Sequence, residues 1–211
     1  MAISLVTVGG KITAAIQNAI IGQVNAQGTF KVKPIPTATG GTATVSSLGR
    51  VTFVNVNGLQ LASAFLTSAP QAEAFDVYIN ITACSAGTYI TGQIGTAVAV
   101  SSANYDNQYV YSIATTGTTQ SNVTTAAQTS WTLSAGGGSV AKKIKLRLES
   151  PNLVAPTTVD IVASEYGAAS VPTRLVGTLG MRLSTAYSDL FIASTSGTIS
   201  GTVDIVGYNN G

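Results

Sequence analysis

The stretch Ala141 to Leu148 limits what this chain can fold into more than any other part of the sequence. Its side chains alternate between a cationic face and an aliphatic face: Lys143, Lys145 and Arg147 against Ile144, Leu146 and Leu148. Successive side chains of an extended strand point to opposite faces, so this pattern predicts a β-strand with one solvated side and one buried side. The rest of the chain is therefore expected to supply strands that cover the same buried face.

Strand-like segments recur through the chain, and turn signals separate them roughly every 8 to 15 residues. Charged residues make up only 9% of the chain, against about 25% in typical proteins, and Thr, Ser, Gly, Ala and Asn take their place. This pattern predicts an all-β fold, an antiparallel β-sandwich or jelly roll, preceded by a short N-terminal helix. The predicted strands are Val51–Val56, Phe75–Thr82, Tyr89–Val100, Gln108–Ala114, Ser130–Leu133, Ala141–Leu148, Thr157–Ser164, Arg174–Leu183, Asp189–Ser194 and Thr198–Val206, with Leu59–Ala69 as either a strand or a short helix.

The helical pattern lies in the N-terminal segment, over Lys11 to Asn25. Apolar residues recur there every four positions, as on one face of an amphipathic helix: Ile12, Ile16, Ile20 and Val24. A helix of about 15 residues is marginal alone, so it must pack on its own domain, on copies in other subunits or on a larger assembly. The sequence thus predicts an attachment or assembly segment over residues 1–27, an extended linker or edge strand over 28–49, and the β-domain over 50–211.

The residue types in the chain exclude most catalytic chemistry. There is no histidine, which removes Ser-His-Asp and Cys-His catalysis and the commonest zinc ligand. The eight carboxylates are isolated, without an EF-hand loop or an Asp-x-Asp cluster. Cys84 has no base within reach in the sequence and is interpreted as a buried or inert side chain. The sequence therefore predicts no enzyme, and no catalytic, metal-binding or cofactor-binding residue.

The composition also limits which classes of partner we expect. The net charge is +2, whereas strong phosphate binding needs many clustered Lys and Arg, so nucleic acid is not expected as a partner. The N-terminus lacks the basic region of a secretory signal. No run approaches the roughly 18 apolar residues of a membrane helix. We expect synthesis in the cytoplasm and no membrane insertion.

Two groups of residues have both a structural and a binding interpretation. The face formed by Lys143, Lys145 and Arg147 either solvates the outside of a sheet, as the alternation favours, or meets an anionic partner such as an acidic polysaccharide or a neighbouring subunit. Four aromatic residues in a region rich in Asn, Gln, Thr and Ser either fill the core or contact a glycan or another subunit: Tyr105, Tyr109, Tyr111 and Trp131.

Several phrases resemble virion appendage proteins of tailed bacteriophages. The opening phrase, Val8 to Ile20, resembles the start of tail-fibre and head-fibre subunits. Three later phrases are similar to a β-sandwich domain of phage minor tail proteins and fibres: Arg50 to Val56, Ala103 to Tyr111 and Ile199 to Tyr208. The resemblance implies a homo-oligomer, usually a trimer, whose N-terminal end attaches to capsid or tail proteins and whose sandwich projects outward.

We therefore expect a structural protein of a phage particle, made in the host cytoplasm and located in the virion. Only residues 28–49 separate the predicted helix from the strands, which leaves no repetitive shaft. Capsid decoration or a head fibre is accordingly favoured over a tail-borne receptor-binding or minor tail protein. The alternatives from other classes are a carbohydrate-binding module, for which a host-surface glycan is the expected ligand, and a self-assembling filament subunit.

Overall fold

The computed structural model describes residues 28–65, 74–85, 87–100, 102–114, 118–134, 141–166 and 172–209. Within these ranges all regular structure is β-strand, and every paired strand is antiparallel to its neighbours. The strands in chain order are β1 (Gly28–Lys31), β2 (Ile35–Thr39), β3 (Thr42–Val45), β4 (Val51–Val56), β5 (Gly58–Ala62), β6 (Ala74–Cys84), β7 (Ile90–Thr96), β8 (Val98–Ala99), β9 (Tyr105–Ala114), β10 (Thr118–Gln128), β11 (Trp131–Thr132), β12 (Lys142–Glu149), β13 (Thr157–Tyr166), β14 (Pro172–Met181), β15 (Asp189–Ser194) and β16 (Ile199–Asn209).

The all-β, antiparallel prediction is confirmed for the part of the chain that the structure describes. The predicted N-terminal helix, with Ile12, Ile16, Ile20 and Val24, lies outside the described residues. Among the described residues, none forms a helix with the length and hydrophobicity needed to cross a lipid bilayer.

Most of the strands belong to one large sheet of ten. Its order is β10, β9, β14, β13, β12, β6, β16, β4 and β3, and β1 also pairs with β16. On one side of β16, β6 pairs with nearly the whole strand. On the other side, β4 pairs with the first part of β16 and β1 with its last part. β12, which contains the alternating cationic and aliphatic residues, therefore lies in the middle of this sheet, between β6 and β13.

A second sheet of six strands supplies the opposite half of the core. Its order is β11, β7, β15, β5 and β2, and β8 pairs with β7. The buried apolar side chains of both sheets form one cluster, with Ile144 and Leu146 from β12 and Leu190 and Ile192 from β15 among its members. The aliphatic face of β12 is buried as predicted, because Ile144, Leu146 and Leu148 are at most 2% exposed.

Residues 28–49 hold three strands of the two sheets. β2 is the end strand of the small sheet and β3 is the end strand of the large sheet. The chain passes from one sheet to the other at Gly40 and Gly41, both with positive φ, and returns from β4 to β5 at Asn57, whose N–H donates to the carbonyl of Thr39 at 2.8 Å. A bent hairpin therefore joins the two sheets along this edge. The boundary predicted at residue 50 falls between two paired strands, β3 and β4.

The segment predicted as either a strand or a short helix, Leu59–Ala69, is a strand in its first part, because Leu59 to Ala62 belong to β5. Residues 63–65 follow it outside the strand, and residues 66–69 lie outside the described residues. One further segment differs from the sequence expectation. The polar residues 118–128 form a full strand, β10, that was not predicted, because Thr, Ser, Asn and Gln on both faces give no alternation to detect. β10 lies at the end of the large sheet, where it pairs only with β9.

Candidate functional site

The side of the large sheet that faces away from the core carries most of the charge of the described chain. Antiparallel pairing sets side chains of neighbouring strands directly beside one another on the same face. Between β6 and β12 it sets three polar residues against the three predicted cations: Asp76 beside Arg147, Tyr78 beside Lys145 and Asn80 beside Lys143. We call this surface the outer face.

Asp76 is the centre of a network on the outer face. It is only 2% exposed, and it accepts hydrogen bonds from the hydroxyls of Tyr78 and Tyr208 at 3.0 and 2.9 Å. Lys145 lies 2.9 Å and Arg147 3.6 Å from its oxygens. Burial by itself raises the pKa of Asp76, but the hydrogen bonds from Lys145 and the two tyrosines outweigh it and hold the pKa below its usual value. The carboxylate is therefore charged at neutral pH.

The aromatic rings hold the same two cations from the side. The Lys145 ammonium lies 5.4 Å from the centre of the Tyr78 ring, and the Arg147 guanidinium lies 5.0 Å from that of Tyr208. Arg147 also donates to Glu149 at 2.7 Å, which raises the pKa of the guanidinium. Lys145 and Arg147, two of the three predicted basic residues, are thus paired with carboxylates and aromatic rings of the protein itself.

A second carboxylate neutralises two more cations nearby. Asp204 lies 2.9 Å from Arg50 and 3.3 Å from Lys31. Burial raises the pKa of Asp204, but the hydrogen bonds from Arg50 and Lys31 prevail and lower it. These three residues join β1, β16 and the residue before β4 across the outer face, so their role in the described structure is to hold strands together.

Lys143 differs from the other two members of the predicted basic face. No carboxylate among the described residues forms an ion pair with it, and the same is true of Arg174 on β14. The registers place Lys143 beside Ser164, Ser164 beside Arg174, and Arg174 beside Ser112, in one row across four strands. The row has two cations separated and flanked by hydroxyl groups.

A surface cavity of about 440 Å³ lies over this row. Lys143, Ser112, Ser164 and Arg174 all line it, together with Tyr166. Tyr166 lies at the end of β13 on the same face as Ser164, and 53% of its surface is exposed. The cavity therefore combines two cations without an ion pair to a described carboxylate, two hydroxyls and an exposed aromatic ring. Glu165, whose carboxylate is paired with Lys142, also lines it. Arg174 and Tyr166 could not be predicted as part of a site with Lys143, because only the strand register brings these residues to one cavity.

The four aromatic residues singled out from the sequence do not form one exposed surface. Tyr105 and Trp131 are both fully buried, with their ring centres 5.3 Å apart in an edge-to-face contact. Tyr109 and Tyr111 are partly buried and pack against the core. This placement favours the core-filling interpretation, above all for Tyr105 and Trp131.

The polar atoms of the buried pair are also bonded within the protein. The indole N–H of Trp131 donates to the carbonyl of Gly180 at 2.7 Å. The hydroxyl of Tyr105 accepts from the N–H of Ile94 at 3.1 Å and donates to its carbonyl at 3.2 Å. Burial raises the pKa of Tyr105 to about 12, so its hydroxyl stays protonated at neutral pH.

An ion pair that was not predicted from the sequence is buried between β12 and β13. Lys142 is next to Lys143 in the chain but points to the opposite side of β12, where it is 0% exposed and pairs with Glu165 of β13. The register sets the two residues directly opposite each other. Side chains of a strand alternate between its two faces, so Lys142 falls on the buried face with Ile144. This alternation does not show which residue pairs with Lys142.

Within the described ranges, no group of three or more His, Cys, Asp or Glu side chains is placed to hold a metal ion. Neither the known protein-family models nor the curated proteins include a match to this chain. The resemblance to phage appendage proteins therefore remains a prediction.

Proposed function

We propose that this chain is a non-enzymatic structural subunit of a bacteriophage particle. In this proposal the two sheets pack as a β-sandwich of jelly-roll type, residues 1–27 attach it to the virion, and the sandwich is displayed outward as a capsid decoration or head fibre. The sequence phrases quoted above and the two-sheet antiparallel architecture with one shared core support it.

The observation that best supports the proposal is where residues 1–27 connect to the β-domain. β1 begins at Gly28, which is paired with Asn209 at the other end of the described chain. The proposed attachment segment therefore joins the domain at one end of the large sheet. The row containing Lys143 lies toward the other end of β12, six residues from Glu149, which corresponds to about 20 Å along a strand. An attachment at the first end leaves the second end free for display.

Immunolabelling of purified phage particles tests this function. Label over the head is expected for a decoration protein or head fibre, whereas label at the tail tip would favour the tail-borne alternative. Absence of the protein from purified particles would refute both. A variant lacking residues 1–27 should fold but no longer bind particles; undiminished particle binding would refute attachment through that segment.

The proposed oligomer is a trimer, and it is tested separately. Sedimentation equilibrium of the full-length chain is expected to give three times the mass of one 21.3 kDa chain. Loss of the trimer on deletion of residues 1–27 would place assembly in that segment, and a trimer that survives the deletion would place it in the β-domain.

A further inference from the structure

The carboxylates of the described chain are distributed unevenly among its cations. Seven of the eight carboxylates lie in the described residues. Five of them form ion pairs, with six cations: Asp76, Asp106, Glu149, Glu165 and Asp204, with Lys31, Arg50, Lys142, Lys145, Arg147 and Arg182. The described cations outside these ion pairs are Lys33, Lys143 and Arg174, and the last two share one cavity.

The geometry of this cavity suits an extended ligand with acidic groups. Lys143 and Arg174 are two strand positions apart, on either side of Ser164, which sets their backbones about 10 Å from each other. The guanidinium of Arg174 offers paired donors that match a carboxylate or sulfate, and Lys143 offers a flexible point charge. The serine hydroxyls can donate or accept, as a sugar hydroxyl requires.

Tyr166 adds the feature that distinguishes a sugar from a simple anion. Its ring is 53% exposed at the border of the cavity. An exposed tyrosine combines a flat apolar surface with a polar end. The apolar C–H face of a pyranose ring can pack on such a surface while its acidic group reaches the cations.

We propose that this cavity binds an acidic polysaccharide, with its carboxylate or sulfate groups on Lys143 and Arg174, its hydroxyls on Ser164 and Ser112, and one sugar ring on Tyr166. The site goes beyond the structural role proposed above and does not depend on it, because purified protein suffices to test it. Two cations are too few for strong attraction to a nucleic acid.

The test measures binding of the full-length chain to three polymers of matched length by isothermal titration calorimetry. Oligogalacturonate supplies carboxylates, dextran sulfate supplies sulfates and dextran is the neutral control. The variants are Lys143→Gln, Arg174→Gln and Tyr166→Ser. Their matched controls are Lys33→Gln, which removes another cation without an ion pair to a described carboxylate, and Tyr89→Ser, which removes a tyrosine elsewhere that is 44% exposed. Thermal unfolding of each variant verifies that it folds.

At least one acidic polymer should bind and dextran should not, and comparison of the two acidic polymers identifies the anionic group. Lys143→Gln and Arg174→Gln are each expected to weaken binding about tenfold, the size of one charge-assisted hydrogen bond. Tyr166→Ser should weaken it about threefold or more, and both controls should change it by less than about twofold.

Three results would overturn the proposal. The first is binding of neither acidic polymer. The second is an equal loss of affinity in Lys33→Gln and Lys143→Gln, which would indicate attraction to the net charge alone. The third is tighter binding of single-stranded DNA than of both acidic polymers at physiological salt, which would make the cavity a nucleic-acid site.

Discussion

Lys142 and Lys143 are adjacent in the chain and occupy opposite environments. Lys142 is fully buried against Glu165, whereas Lys143 lies on the outer face without an ion pair to a described carboxylate. Removing two charges from water costs several kcal/mol per ion, and only their mutual attraction and hydrogen bonding offset it. The buried pair therefore makes its largest difference to stability when one partner is lost.

The core ion pair gives a prediction at this scale. Lys142→Met leaves the Glu165 carboxylate buried without its cation, and we expect it to lower the free energy of unfolding by about 3–5 kcal/mol. The double variant Lys142→Met, Glu165→Leu replaces both charges by apolar groups and should recover most of that loss. Urea denaturation at pH 7 measures both.

The exposed neighbour is the matched control. Lys143→Met should change the free energy of unfolding by less than about 0.5 kcal/mol, since it removes a solvated surface cation. A double variant that is as unstable as Lys142→Met alone would contradict the argument, because the loss would then come from packing and not from an unpaired charge.

At the scale of elements, the bent hairpin of β2, β3, β4 and β5 joins the two sheets. β2 and β3 are the end strands of the small and the large sheet, and they follow each other directly in the chain. At the turn between them, a Cβ on Gly41 would lie 2.1 Å from the carbonyl oxygen of Val54. The close approach of two backbones at this corner therefore requires glycine.

Gly41→Ala tests the corner. Its φ is +54°, which costs an L-residue about 1–2 kcal/mol, and the contact with Val54 adds to this. We expect the free energy of unfolding to fall by more than about 2 kcal/mol in total. Differential scanning calorimetry measures the change.

Gly87 is the matched control for this corner. Its φ of +74° is equally unusual, but among the described residues no atom beyond its chain neighbours lies within 4 Å of an added Cβ. Gly87→Ala should therefore show the backbone cost alone, about 1–2 kcal/mol. Equal losses in the two variants would mean that the close approach at the corner does not contribute.

At the scale of the whole molecule, the sequence predicts which face of a strand is buried better than it predicts which strands pair with each other. Alternation in β12 and β6, together with the regular turn signals, predicted the all-β domain and the buried aliphatic face. Register was not predictable, because it depends on pairings between strands as far apart as β9 and β14. Arg174 and Tyr166 were not predicted as site residues for that reason. β10 was not predicted as a strand because both its faces are polar.

The distribution of carboxylates across the molecule predicts its response to pH. Four of them have pKa values below the usual one, because hydrogen bonds and nearby cations outweigh the effect of burial: Asp76, Asp106, Asp189 and Asp204. A carboxylate with a lowered pKa in the folded state stabilises the fold above its unfolded pKa of about 4, and this contribution is lost as the pH falls further. The chain has no histidine to titrate between pH 5 and 8.

We therefore expect a free energy of unfolding that is flat from about pH 5 to 8 and falls below about pH 4. Urea denaturation across this range measures it. Asp76→Asn should reduce the acid dependence, because it removes one of the four contributing groups. A steep change in stability between pH 5.5 and 7.5 would contradict this assignment.

The pairing of β1 with β16 has a mechanical consequence. Antiparallel hydrogen bonds run perpendicular to their strands, so a pull on the chain before Gly28, directed along β1, loads all the bonds of this short strand at once. Phe30 strengthens the joint, because its ring fills the space over Gly207, where a Cβ would lie 2.2 Å from it. If the N-terminal segment is the anchor and the far end of the sheet is held by a ligand, tension between them shears β1 from β16 and does not unzip it.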